Sequence, residues 1–181
     1  MSSLSVYHLS SPDIPNKVLT HFEDIAATLA EKGVRFERWQ AATKIQPDAT
    51  HDEIIAAYRP RIEQWMGEEG LCEVEVISLD NDHPQKDEVR ARLLEEHHYE
   101  QDEVRFFLAG RGLFSLHMDD YIYAVLCEKN DLISVPAGTS HWFDMGEQPY
   151  YVTLRLFKDQ EKRAARFTGD DIASRFPRLE D

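Results

Sequence analysis

Residues 104–157 read VRFFLAGRGLFSLHMDDYIYAVLCEKNDLISVPAGTSHWFDMGEQPYYVTLRLF, and this stretch decides the fold. It consists of short runs rich in β-branched and aromatic residues, each bounded by glycine, proline, asparagine or aspartate. Such runs are typical of strands that are joined by tight turns. The predicted strands cover residues 104–108, 113–118, 121–127, 132–135, 141–144 and 150–157. Six short strands at this spacing predict an antiparallel β-barrel or sandwich.

The residues before this stretch predict helices that flank the barrel. A capping pattern at 20–23 starts an apolar helical repeat that ends at Gly33. The same pattern at 50–53 starts a second helix, in which Pro60 predicts a kink or a break because proline removes a backbone N–H donor. The remaining predicted elements are strands at 34–39 and 72–79, a charged helix at 85–94 and a helical turn within 169–177.

The fold class is therefore predicted as α+β, with an antiparallel β-barrel and flanking N-terminal helices. A chain of 181 residues suits a single domain with one core. Within residues 1–181 we expect a helical part packed on the barrel at 1–71, the barrel at 72–157 and a C-terminal tail at 158–181.

The charge of the chain excludes two classes of partner. Lysine and arginine number 20, against 34 aspartates and glutamates, which gives a formal net charge of −14. A surface of this sign repels nucleic acids and anionic membranes, so we expect neither as a partner. An anionic substrate would also be repelled at long range, and its site would need a local positive charge.

The cysteines and the N-terminal residues indicate a cytoplasmic protein. Cys72 and Cys127 are too few for a disulfide framework, and we expect both to be reduced and buried. We expect no signal peptide, because Met1–Tyr7 lacks a basic region followed by an apolar stretch, and no membrane span, because no apolar run has the length of one. Nothing in the sequence calls for an oligomer, so we expect a monomer.

Candidate metal ligands cluster at two places in the strand-rich part. Residues 96–103 read EHHYEQDE and residues 136–142 read PAGTSHW. Two histidines and one carboxylate, here His97, His141 and Glu103, can occupy one face of a metal ion and leave its other positions open. Non-haem iron oxygenases use this ligand set. Without a metal or another partner, a buried carboxylate beside histidines would be costly.

These two groups resemble the paired motifs of the cupin superfamily. In the first motif a glutamate is followed by six residues and a glycine, as Glu103 is followed by Gly110. The second motif has the form Pro-x-Gly-x-x-His, which Pro136, Gly138 and His141 match. The resemblance implies a jelly roll, or double-stranded β-helix, that binds a metal ion between its strands.

Longer segments resemble one cupin family, the bacterial acireductone dioxygenases. These segments are 33–39, 102–107, 110–114, 127–138, 141–146 and 167–173, so the resemblance covers almost the whole chain. It implies an enzyme of methionine salvage with one Fe(II) or Ni(II) ion per chain, bound by three histidines and one glutamate. With iron, the family converts 1,2-dihydroxy-3-keto-5-methylthiopentene and O2 to 4-methylthio-2-oxobutanoate and formate. With nickel, the products are 3-methylthiopropanoate, formate and carbon monoxide.

The chain matches three of the four ligand positions of that family. The family motif reads Glu-His-x-His-x-x-Asp-Glu, and counting back from Glu103 places its two histidines at His97 and Tyr99. His141 supplies the ligand of the second motif. Tyr99 is therefore either a weak metal ligand or a core tyrosine whose hydroxyl bonds to a neighbour. His98 points to the opposite face of a regular strand, unless a β-bulge turns it inward.

Two arginines are candidate catalytic residues. Arg105 lies two residues after Glu103 and shares its strand face, and Arg155 lies on the last strand. Each either forms an ion pair with a carboxylate or holds the enolate oxygens of an anionic substrate, which the resemblance favours. The acidic run at 95–96 is expected to lie on a solvated face.

The sequence predicts a metal-dependent acireductone dioxygenase whose partners are acireductone and O2. One alternative is a paralogue with weakened or lost activity that acts as a metal- or ligand-binding cupin. The departure at Tyr99 supports it, as does the segment 160–165, where QEKRAA lacks the family's pocket-forming Gly-Trp pair. A different cupin enzyme, such as another dioxygenase or an isomerase, is disfavoured by the family-specific segments outside the metal motifs.

Overall fold

Two antiparallel β-sheets make up the body of the molecule. The computed structural model describes residues 2–40, 46, 48–70 and 73–180. The strands in these residues are β1 Ser3–His8, β2 Lys17–Leu19, β3 Arg35–Arg38, β4 Glu73–Leu79, β5 His97–His98, β6 Glu103–Gly110, β7 Gly112–Met118, β8 Tyr121–Cys127, β9 Asp131–Val135, β10 Ser140–Asp144, β11 Tyr151–Phe157 and β12 Arg166–Phe167. The larger sheet has the order β12-β5-β10-β7-β8-β1-β2, and the smaller has the order β3-β9-β6-β11-β4. This confirms the predicted antiparallel α+β architecture.

The six strands predicted in the strand-rich part are all present, as β6 to β11. Their ends differ from the predicted ones by two residues or fewer. The short helix at Lys86–Leu93 (α3) and the 3₁₀ turn at Ile172–Arg175 also lie where they were predicted. The strand predicted at 72–79 is β4, although Cys72 lies outside the described residues.

The expectation that residues 1–71 are a helical part packed on the barrel is incomplete. β1 pairs with β8 over its whole length, and β3 pairs with β9, so the N-terminal part supplies strands to both sheets. Leu4 and Val6 of β1 are buried in the core between the sheets. No strand was predicted for this run, whose place in the fold is set by its pairing with β8.

Alternating residues of the strands separate the core from a second layer. Phe107, Phe114 and Phe143 lie in the cluster between the sheets. The other face of β6, which carries Phe106, packs against the second helix, His51–Glu69 (α2). This alternation determines which side chains of β6, β10 and β11 face the interior.

The two N-terminal helices begin differently. α2 is capped as predicted, because Thr50 Oγ1 accepts a hydrogen bond from the Glu53 backbone N–H at 3.2 Å. The first helix, Phe22–Ala30 (α1), begins after His21, whose side chain makes no capping bond, so the predicted cap at Thr20 is wrong. α1 does end near Gly33, which has a φ of +79° that favours glycine.

A kink or a break was predicted at Pro60, and the break is wrong, because α2 continues through this residue to Glu69. Pro60 and Ala56, whose carbonyl loses its helical donor, both lie on the exposed side of α2. Water can satisfy that carbonyl, and the buried residues on the opposite side hold the helix together.

Among the described helices, none has the length and apolar character to cross a membrane.

Gly110, the glycine of the first sequence motif, is required by its backbone. Its φ is +75°, and a Cβ at this position would lie 1.9 Å from the carbonyl oxygen of Tyr150. No other residue fits between these two segments.

Cys127 is a free and fully buried thiol, as expected, and burial raises its pKa well above the usual range.

Candidate metal centre

The predicted metal ligands come from both sheets and face the interior between them. His97 and His141 lie directly opposite each other on β5 and β10 of the larger sheet. Glu103 begins β6 of the smaller sheet, on the same face as Phe107. All three side chains are almost completely buried.

Both histidines are held in the same tautomer by backbone carbonyls. His97 donates from Nδ1 to the Glu95 carbonyl oxygen at 2.7 Å, and His141 donates from Nδ1 to the Thr139 carbonyl oxygen at 2.8 Å. A carbonyl oxygen can only accept, so the proton lies on Nδ1 and each Nε2 keeps a free lone pair. This arrangement fixes the ring of a histidine that binds a metal.

The free atoms of His141 and Glu103 face each other without a donor between them. His141 Nε2 lies 3.7 Å from Glu103 Oε2, which is too long for a hydrogen bond. Both atoms are buried and lack a hydrogen-bond partner. Two buried acceptors this close repel each other unless a cation lies between them. One metal ion with bonds of about 2.1 Å could contact both atoms, so the pair fits a metal.

The ionisation of these groups also suits a metal. Burial is the main cause that lowers the pKa of His97 to about 4. Burial acts to raise the pKa of Glu103, but the nearby positive charges of Arg105 and Arg155 help to bring it below its usual value. Metals bind neutral imidazole and ionised carboxylate, which are the forms of His97 and Glu103 at neutral pH.

The third predicted ligand lies beside this pair. The rings of His97 and His141 are 4.7 Å apart between centroids. In the described part of the chain, however, no three histidine, cysteine or carboxylate side chains converge closely enough to surround an ion as they stand. The converged set is thus His141 with Glu103, and His97 is adjacent to it.

Tyr99 faces this site, and His98 is turned away from it. The Tyr99 ring centroid lies 5.5 Å from that of His97 and 5.8 Å from that of His141. Burial and the nearby charge of Glu103 raise the pKa of Tyr99 to about 12, so its phenol is neutral at neutral pH. His98 is partly exposed and lies opposite Arg166 of β12. The chain therefore follows the register counted back from Glu103, with no bulge that turns His98 inward.

Arg105 and Arg155 lie opposite each other on neighbouring strands and face the same interior. Arg105 Nε is 3.5 Å from Glu103 Oε1, and the Arg155 guanidinium carbon lies 4.9 Å from the centroid of the Tyr99 ring. Both side chains are buried, and the Nε atoms of both lack a hydrogen-bond partner. Two like charges in this arrangement are unfavourable unless anions compensate them. The site can therefore accept an anion beside the candidate ligands.

Comparison with known proteins agrees with this geometry. The sequence model of the ARD/ARD' family matches residues 6–165. The chain is 71% identical to an acireductone dioxygenase of Pseudomonas fluorescens (strain Pf0-1) and 70% identical to one of Pseudomonas syringae pv. syringae (strain B728a), each over 181 residues and the full length of both proteins. The chain belongs to the ARD/ARD' family.

A solved structure supports the same conclusion. The acireductone dioxygenase of Bacillus anthracis, described with a cadmium ion in its active centre, is 27% identical to this chain with a TM-score of 0.80. The alignment covers 92% of this chain and 98% of that protein. The predicted family and the predicted cupin fold are thereby confirmed.

The segment that departs from the ARD/ARD' pattern contributes charge to the site wall. Gln160–Lys162 forms a 3₁₀ turn, and Arg163 after it binds Glu75 through Nη1 at 2.9 Å. Glu75 also lies 3.9 Å from Arg155 Nη1, and the Arg163 carbonyl oxygen accepts a hydrogen bond from Arg155 Nη2 at 3.3 Å. This segment therefore holds Arg155 in place.

Three further residues near the site did not emerge from the sequence. Thr153 is fully buried, accepts a hydrogen bond from Arg105 Nη1 at 3.4 Å and donates to the Ile77 carbonyl oxygen at 2.9 Å. Thr153 lies two residues before Arg155 and therefore on the same strand face, and this spacing could have identified it from the sequence. Glu75 gave no such signal. Glu96 was expected on a solvated face and is instead buried, which corrects the interpretation of the run 95–96.

Proposed function

We propose that this chain is a metal-dependent acireductone dioxygenase. The observation that carries the proposal is the buried pair of His141 Nε2 and Glu103 Oε2, which face each other at 3.7 Å with no donor between them. A metal ion is the simplest group that satisfies both atoms. The full-length relatives, which are named acireductone dioxygenases, support this chemistry over that of other cupins.

His97, Glu103 and His141 would hold one metal ion per chain. Their Nδ1–H bonds to carbonyl oxygens orient the two imidazoles, and His97 lies beside the pair, where it could complete the set. Two histidines and a carboxylate suit Fe(II) or Ni(II), which we propose as the cofactor. The cadmium ion in the active centre of the Bacillus anthracis protein supports a metal at this place.

The substrate would bind as an anion beside the metal. When bound, the metal supplies a Lewis acid for the enediolate oxygens and the redox chemistry with O2 that cleaves carbon–carbon bonds. Arg105 and Arg155 would hold the negative charge of the substrate, because their Nε donors are buried and make no hydrogen bond. Such fixed charges are effective in a buried site, where water cannot screen them. The metal that is bound would decide the products, as described for the family above.

Aromatic side chains close the interior side of the site. The ring of Phe114 lies 6.3 Å from that of His141 and 4.7 Å from that of Phe143, and both phenylalanines are buried. This wall excludes water from the side of the metal that faces the core. It would therefore limit side reactions of the bound substrate with water.

Metal analysis combined with an oxygen-dependent assay tests the proposal. We expect the purified protein, loaded anaerobically with Fe(II), to consume O2 and acireductone and to release formate and the 2-oxo acid. Loading with Ni(II) should shift the products to formate, carbon monoxide and the shorter acid. A protein that binds metal but does not turn over acireductone with either ion would favour the alternative of a metal-binding paralogue, which has no support from the relatives. A protein that binds neither ion would contradict both.

We further propose that residues 1–181 act as a single domain and as a monomer in the cytoplasm. The free and buried thiol of Cys127 is consistent with a reducing compartment. Light scattering on the metal-loaded protein would test the oligomeric state, and a dimeric mass would contradict it.

A further inference from the structure

Glu96 forms a buried network beside the candidate ligand His97. Its carboxylate accepts a hydrogen bond from His117 Nδ1 at 2.8 Å and another from Thr168 Oγ1 at 2.8 Å. The Glu96 carbonyl oxygen also accepts from the Thr168 backbone N–H at 3.1 Å. Only 4% of Glu96 is exposed, so these bonds compensate a charge that would otherwise be costly to bury.

The network joins three parts of the molecule that surround β5. Glu96 immediately precedes β5, His117 belongs to β7, and Thr168 follows β12. β5 has only two residues, which pair with β10 at one position, His97 opposite His141, and with the two residues of β12. Both β5 and β12 are this short, so side-chain contacts add to the few backbone bonds that hold them.

The position of Glu96 determines the orientation of the His97 ring. The His97 imidazole is fixed by the carbonyl oxygen of Glu95, which belongs to the peptide group that joins Glu95 to Glu96. A shift of Glu96 would move this carbonyl and turn the ring that it holds. The network therefore acts on His97 through the backbone, without contact with a metal.

We infer that Glu96 is a positioning residue for the metal centre, which holds His97 in the orientation that binds the ion. The inference rests on the proposed function, because it requires a metal at His97. Partners that orient a metal ligand contribute about 10–100-fold in metal affinity.

Two measurements test this role. Competition with a chelating dye gives the affinity for Ni(II), and urea unfolding of the metal-free protein gives its stability. We expect Glu96→Ala to weaken Ni(II) binding by about 10–100-fold. Glu96→Gln should restore most of the affinity, because its amide oxygen still accepts from Thr168 and His117 can accept from its amide nitrogen. The matched control is Glu95→Ala, which removes an exposed neighbouring carboxylate but keeps the carbonyl bound to His97, and it should bind Ni(II) as the wild type does.

Other results would overturn the inference. If Glu96→Ala lowers the stability of the protein but binds Ni(II) with wild-type affinity, the network is purely structural. If Glu95→Ala weakens binding as much as Glu96→Ala, the effect comes from charge and not from position. If Glu96→Ala fails to fold, Thr168→Val, at an exposed position, tests the same role. Wild-type affinity for Ni(II) in Thr168→Val would also contradict the positioning role of Glu96. A wild-type protein that binds no Ni(II) would instead contradict the proposed metal centre itself.

Discussion

His141 is the single residue on which the candidate metal centre most depends, since its Nε2 faces Glu103 and its ring adjoins His97. We predict that His141→Ala abolishes stoichiometric metal binding, with at least about a 100-fold loss of affinity. The remaining candidates lie on two different sheets and would lack the residue between them. Plasma emission spectroscopy on the purified variant measures its metal content.

The matched control for this prediction is His98→Ala. His98 belongs to the same short strand as His97 but is partly exposed and lies opposite Arg166. Its removal should leave the metal content unchanged. Full metal content in the His141 variant would contradict the assignment of the site.

Tyr99 stands where the resemblance to acireductone dioxygenases implies a histidine. Its neutral phenol is a poor metal ligand compared with an imidazole, because a pKa of about 12 leaves it protonated. We predict that Tyr99→His raises metal affinity by about 10-fold or more, raises activity, or does both. Chelator competition and oxygen consumption measure the two effects.

The register of β5 is tested by the same variant. A loss of both metal and activity in Tyr99→His, together with an empty site in His98→Ala, would show that His98 is the ligand. A phenolate charge-transfer band in the Fe(III) form of the wild type would show that Tyr99 itself binds the metal. Without that band, Tyr99 is a neighbour of the metal.

Arg105 is proposed to meet the substrate, and we predict that Arg105→Leu harms turnover more than metal content. The loss of one buried donor to a developing negative charge costs about 10²–10³-fold in kcat. The metal content should stay near that of the wild type, because Arg105 contacts only one oxygen of Glu103, and does so at 3.5 Å. If metal and activity fall in proportion, Arg105 supports the ligands and does not bind the substrate.

At the scale of elements, one carboxylate joins α3, β10 and the C-terminal tail. Asp144 is buried and accepts hydrogen bonds from Arg90 Nε at 2.9 Å, from the Gly146 N–H at 2.9 Å and from the Leu179 N–H at 2.8 Å. Burial acts to raise its pKa, but Arg90 and the two backbone donors lower it below the usual range. We predict that Asp144→Asn destabilises the protein by about 2–4 kcal/mol at pH 7, since it removes the negative charge that accepts hydrogen bonds from Arg90 and from two backbone N–H groups.

The sign of the pH dependence follows from the lowered pKa. A carboxylate whose folded pKa lies below its unfolded value of about 3.9 stabilises the fold above that pH, and the contribution is lost as the pH falls through the folded pKa. Urea unfolding at pH 7 and at pH 3.5 should therefore show that the difference between the wild type and Asp144→Asn shrinks in acid. Asp171→Asn, at an exposed pair with Arg175, is the control and should change little at either pH. A difference that does not depend on pH would contradict this role of the charge.

Long elements with a clear pattern could be predicted from the sequence, and short elements could not. β6 to β11 carry enough apolar residues between turns to identify them, and Thr50 caps α2 as expected. β5 and β12 have two residues each, so only their pairing in the folded chain defines them. The break predicted at Pro60 does not occur because its solvent-facing position tolerates the missing donor. Within the site, the candidate ligand positions follow from motif spacing, whereas Thr153 and Glu75 act through contacts between distant strands that no local pattern reveals.

On the scale of the whole molecule, a metal ion at the proposed centre would join the two sheets. His97 and His141 belong to the larger sheet and Glu103 to the smaller one, so a bound ion adds a link that the unfolded chain does not have. We predict that a free Ni(II) concentration about 100 times the dissociation constant stabilises the fold by about 2.7 kcal/mol. For a chain of this size, that corresponds to a rise in Tm of roughly 5–10 °C. Differential scanning calorimetry should show this rise for the wild type and for His98→Ala but not for His141→Ala. An equal rise in all three proteins would place the stabilising ion elsewhere on the acidic surface, and no rise in the wild type would mean that the ion does not join the sheets.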